Sequence, residues 1–112
     1  MDGRVKSVEE LPGGTVVPVG GDVTLADSPK FHTRLLQVVE QDPARLIIDM
    51  TEVNHIDSAG VGTLVEVFRR VKAAGHTMYL VGLTPRVRGV FEITKLDKFF
   101  PIVDSTDEAL AE

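Results

Sequence analysis

Residues 46–68 read LIIDMTEVNHIDSAGVGTLVEVF, and the change of pattern inside this stretch decides the fold class. Leu46-Ile47-Ile48 is an unbroken aliphatic run, the signature of a strand covered on both faces. Thr51 to Ile56 is expected to be a short loop. A helix is expected over about Ala59 to Ala74, where Val61, Leu64, Val65, Phe68 and Val71 recur at helical spacing and Glu66, Arg69 and Arg70 take the opposite face. Gly75 suits its C-terminal cap.

The same alternation continues outward. Met78 to Val81 reads as a second buried strand, Thr84-Pro85 opens a helix carrying Val87, Val90 and Phe91, and Ile102-Val103 forms a short last strand. Ser105-Thr106-Asp107-Glu108 has capping-box spacing and opens a terminal helix. Toward the N-terminus, Asp27-Ser28-Pro29 starts a helix with Ser28 as N-cap, followed by Phe31, Leu35, Val38 and Val39 on one side and ended by Asp42-Pro43. Arg4 to Glu9 and Thr15 to Val19 are expected to pair as a hairpin around Pro12-Gly13-Gly14. Pro18 places the second strand at an edge or near its end, and Gly20-Gly21 releases the chain. The expectation is one α/β domain over residues 1–112: a mixed sheet, an initial hairpin and then alternating strands and helices, with about four helices packed on it.

Composition narrows the chemistry. The 112 residues include no cysteine, which excludes disulfides, thiolate metal sites and thiol nucleophiles. Seventeen acidic residues against 12 basic ones give a formal charge of −5, so direct nucleic-acid binding is not expected. The start shows no secretory pattern, and no apolar stretch approaches the ~20 residues of a membrane span. A cytoplasmic protein without membrane insertion is expected. His32, His55 and His76 have no ligand spacing. His55-Ile56-Asp57-Ser58 holds three triad residue types, but neighbours in sequence cannot converge as a triad does, and no enzyme activity is expected. Gly60-Val61-Gly62 lacks the third glycine of a dinucleotide fingerprint, and no cofactor is implied.

Asp57-Ser58-Ala59-Gly60-Val61-Gly62 is the informative motif. Each glycine costs about 0.5–1 kcal/mol against alanine inside a helix, so two in one turn imply a close approach, either by a packed strand or by a partner molecule. Ser58 falls at the positive end of the helix dipole, among its free N–H groups. A phosphoryl group there would add about −1.5 to −2 charges, which a helix N-terminus tolerates. Simple capping by Asp57 or Ser58 accounts for the same residues, and the two roles are compatible.

The motif resembles the D-S-[ST/A]-G-[LV]-G signature of STAS domains of the bacterial anti-sigma factor antagonist type. Gly21-Asp22-Val23 is similar to the family's G-[ED]-[LVI], and Leu46 to Met50 to its central strand. Pro85-Arg86-Val87, Val90-Phe91, Thr94 and Leu96 follow its later segment, and Ala109-Leu110 its terminal A-L. Thr24 stands where the family usually has an acid, Lys95 replaces a usual glycine, and Pro18 interrupts the second strand. The resemblance implies a phosphorylation switch. Ser58 would be the phosphoacceptor, modified by an anti-sigma factor serine kinase and restored by a cognate phosphatase. The unmodified form would bind the anti-sigma factor and so release a sigma factor. The partner-binding set would be Asp22, Thr24, Asp57, Ala59, Gly60 and Gly62, within an interface of the second helix's start, the loop Asp22 to Asp27 and an exposed Val67. The alternative is a STAS subunit of a signalling scaffold or of a lipid-transport ABC system, with Ser58 an unphosphorylated interface residue.

Overall fold

The computed structural model describes residues 4–112. Five strands form one sheet in the order β1-β2-β3-β4-β5: β1 (Glu9–Leu11), β2 (Gly14–Val23), β3 (Arg45–Ile56), β4 (Thr77–Val81) and β5 (Ile102–Val103). β1 runs antiparallel to β2, and every other pair is parallel. The helices are α1 (Ser28–Val39), α2 (Ser58–Ala73), α3 (Pro85–Ile93) and α4 (Thr106–Ala111). The mixed α/β architecture expected from the sequence is the one observed.

Strand pleating divides the core in two. Val17, Val19, Leu46, Ile48, Met50, Met78 and Leu80 point to one face, where they meet Phe31 and Leu35 of α1, Leu64 and Phe68 of α2, and Val87 and Phe91 of α3. Val16, Ile47, Tyr79 and Val81 point to the other, closed by Ala109 and Leu110 of α4. Ile47 is therefore buried although three helices lie across the sheet from it, which is why the central run is aliphatic throughout.

Several expectations are corrected. Arg4 to Glu9 is not a strand: the hairpin strand is Glu9–Leu11, and Val5 makes a single antiparallel bridge to Val19. β2 does not end at Gly20-Gly21 but continues to Val23. Thr51 to Ile56 is not a loop but the second half of β3, held by burial of Val53 and Ile56 and by pairing with β2. β2 covers the steps Pro18 to Gly20 and Gly21 to Asp22 while β3 runs from Asp49 to Glu52 and from Val53 to His55, so β3 carries an extra residue at each shift. Gly21, with φ +79°, sits at the second of them. Pro18 lies inside β2 with β3 on one side; its carbonyl accepts from Lys6 N (2.8 Å), so its missing N–H faces the other side, beyond the stretch paired with β1 and next to the isolated Val5–Val19 bridge. Ser28 is the first residue of α1 rather than its N-cap. Asp27 takes that position without a side-chain cap, and the Ser28 hydroxyl meets Thr63 Oγ1 of α2 at 3.2 Å.

Candidate functional site

The site lies where β2 and β3 end side by side. Val23 pairs with Ile56, and Asp57 N donates to Val23 O (3.1 Å), so the start of α2 and the loop leaving β2 emerge together. Parallel sheets expose their functional crevices at this carboxyl end.

Asp57 organises the tip. Its Oδ1 accepts from Ala59 N (3.0 Å) and Gly60 N (3.1 Å), which caps α2, while its Oδ2 accepts from Leu25 N (2.9 Å) in the β2–α1 loop. One carboxylate thus fastens two elements. Desolvation acts to raise its pKa, but the amides of Gly60, Leu25 and Ala59, with His55 nearby, outweigh it, and the group lies below the ordinary carboxylate value. It is ionised at neutral pH.

Ser58 is exposed, and within the described residues its hydroxyl makes no hydrogen bond. The amides expected to be free beside it are largely taken, because Asp57 holds two of them. Ser58, Gly62 and Glu66 follow one another at intervals of four and form the outward stripe of α2. Glu66 is paired with His32 of α1.

The remaining expected residues fall out as follows. Asp22 is exposed at the end of β2. Thr24 is half-buried; its hydroxyl donates to Asp27 Oδ2 (3.2 Å), and Asp27 N donates to Thr24 O (2.9 Å), closing a turn that Arg4 braces through Asp27 (3.4 Å). Ala59 is half-buried, and Gly62 is open, with nothing near the place of a Cβ. Gly60 is different. It is buried, and a Cβ there would lie 2.7 Å from Ile56 Cγ1 and 3.0 Å from Val23 Cγ1, so the close approach it permits is to the sheet. Val67, expected at the surface, is fully buried beneath α2, because it stands nine residues after Ser58 and so on the opposite side of the helix.

The turn also presents Leu25, 72% exposed, on the loop that Asp57 fastens to the start of α2; among the described residues only Ile93 is a comparably exposed large apolar side chain. The sequence signal for Leu25 is an aliphatic residue inside a polar turn, where it has no core to join. Among the described residues, no group of three or more metal-type side chains is assembled. No helix there is long and apolar enough to cross a membrane.

Residues 6–109 match the STAS domain model, and the chain belongs to that family. It is 26% identical over 105 residues to the putative anti-sigma factor antagonist BtrV of Bordetella bronchiseptica, covering 94% of this chain and 90% of that protein. It is 31% identical over 86 residues to the anti-sigma-B factor antagonist of Bacillus subtilis, covering 77% and 78%. Among solved structures, an anti-sigma factor antagonist from Mycobacterium paratuberculosis superposes with a TM-score of 0.86 at 27% identity, over 99% of this chain and 95% of that one.

Proposed function

We propose that this protein is an anti-sigma factor antagonist of the cytoplasm whose binding is switched by phosphorylation of Ser58. The observation that carries the reading is an exposed hydroxyl, without an internal partner, beside an ionised Asp57 at the tip of α2. A neutral hydroxyl is buried in an interface at modest cost. A phosphate adds about −1.5 to −2 charges next to a carboxylate, and no Lys or Arg of the site is placed to neutralise it: Arg4 is engaged with Asp27. Unless the partner brings cations, the desolvation penalty and the repulsion expel the modified tip from the interface. The binding surface comprises Ser58, Ala59 and Gly62 of α2 with Asp22, Thr24 and Leu25, and Asp57 holds its two halves in register. Gly60 serves the fold beneath it. The partners are an anti-sigma factor with serine kinase activity and a phosphatase that restores the hydroxyl.

The test is incubation with the candidate kinase and ATP, read by intact mass, together with titration of the anti-sigma factor. One phosphate on the wild type and none on Ser58→Ala is expected. Ser58→Ala should bind like the wild type, and Ser58→Asp at least about tenfold more weakly, roughly 1.4 kcal/mol. Equal affinities for all three refute the switch.

A further inference from the structure

We infer that the C-terminal half of α2 and the loop carrying Phe99 form a second docking surface, for an acidic segment of another protein bearing a large apolar anchor. A shallow groove of about 560 Å³ opens between Phe68, Arg69, Lys72, Ala73 and Phe99. Its floor is aromatic and rigid: Phe68 and Phe99 lie 5.1 Å apart, and both pack on Phe100, at 5.3 and 5.1 Å. Phe99 is only half-buried and Ala73 is exposed, so an incoming apolar side chain meets carbon on both walls.

Charge selects the occupant. Every charged residue lining the groove is a cation, in a chain whose net charge is −5. Lys72 Nζ lies 5.9 Å from the Phe68 centroid, while Arg69, neighbouring Arg70 and Lys98 make no ion pair within the described residues. Glu66, the one carboxylate on α2, is held by His32. The helix dipole accounts for Arg70 and Lys72 in the last turn; it does not account for Arg69 or for the half-buried Phe99 beside these cations. On the other side of Ala73, Leu36, Val39 and Glu40 with Arg70 line a separate groove of about 430 Å³, whose carboxylate ends the cationic surface there.

Phe68 stands ten residues after Ser58 on one straight helix, about 15 Å away, and Lys72 about 21 Å away. The two surfaces are far enough apart to be occupied together, so this one is independent of the phosphorylation state of Ser58.

The test is selection of a displayed random dodecapeptide library on the whole protein, followed by titration of the enriched peptides. Peptides combining Asp or Glu with Phe, Leu or Trp are expected. They should bind the wild type and Ser58→Asp alike, and the double variant Arg69→Glu/Lys72→Glu at least tenfold more weakly; both altered residues are exposed, so the fold is retained. Absence of enrichment, or peptides indifferent to the charge reversal, overturns the proposal. Binding to phosphatidylglycerol but not phosphatidylcholine vesicles, abolished by the same reversal while no peptide is enriched, assigns the patch to membranes instead. The anti-sigma factor titration reads only the Ser58 surface, so the two readings fail separately.

Discussion

Gly60 and Gly62 stand two positions apart on α2 and face opposite demands. At Gly60 a methyl group meets Ile56 and Val23 at 3.0 Å or less, and the helix must lift off the sheet. Gly60→Ala should therefore cost about 1–3 kcal/mol, measured by denaturant unfolding. At Gly62 a methyl group meets nothing, so Gly62→Ala should stabilise by up to about 1 kcal/mol through helix propensity. If the stabilised variant binds the anti-sigma factor as well as the wild type, Gly62 has no part in partner approach. Asp57 supplies a pH-dependent prediction at this scale. Its folded pKa is depressed, so its contribution is present above the ordinary unfolded carboxylate value and is lost as pH falls through the folded one. Asp57→Asn should be destabilised by about 0.5–2 kcal/mol at pH 7, and its stability deficit should shrink below about pH 4. A deficit constant down to pH 3 would show that geometry rather than charge does the capping.

Among elements, the helix ends are where local sequence and structure agree most closely, because capping is decided within a few residues. Thr84 Oγ1 accepts from Val87 N (3.3 Å) and Ser105 Oγ from Glu108 N (3.2 Å), both as their spacing implies. α2 ends with Gly75 N on Lys72 O (2.9 Å) and His76 N on Val71 O (3.0 Å), and α3 repeats this pair with Lys95 N on Glu92 O (3.1 Å) and Leu96 N on Phe91 O (2.8 Å). The second end places Lys95 at φ +63°, where glycine is at ease and a β-carbon is not. Lys95→Gly should raise stability by about 0.5–1 kcal/mol, the relieved strain less the added freedom of the unfolded chain. An unchanged or lowered melting temperature would contradict it. Strand lengths were the least legible feature. Thr51 to Ile56 lacks a continuous apolar run and Gly20-Gly21 resembles a break, yet the two segments pair along their length, because each supplies backbone hydrogen bonds that only the other can satisfy.

For the molecule as a whole, α4 is a short helix with a large duty: with Leu110 it covers the face of the sheet that α1, α2 and α3 leave open. Ala109, fully buried there, is the point of contact. Ala109→Asp should place an unpaired carboxylate against Ile47 and Tyr79, costing at least about 2 kcal/mol and lowering the melting temperature by roughly 10 °C; a shift under 2 °C would mean that α4 is dispensable. By itself the sequence determined the α/β class, the order of the helices, the caps of α3 and α4 and the motif around Ser58, because periodicity and capping act over a few residues; at α1 it misplaced the cap on Ser28. Tertiary structure alone decided that Gly60 serves the sheet, that Val67 is buried, that Asp57 also holds Leu25, and that Phe68 and Phe99 open a cationic groove. Each of these depends on which distant segment arrives beside a residue, and the packing of sheet against helix sets that.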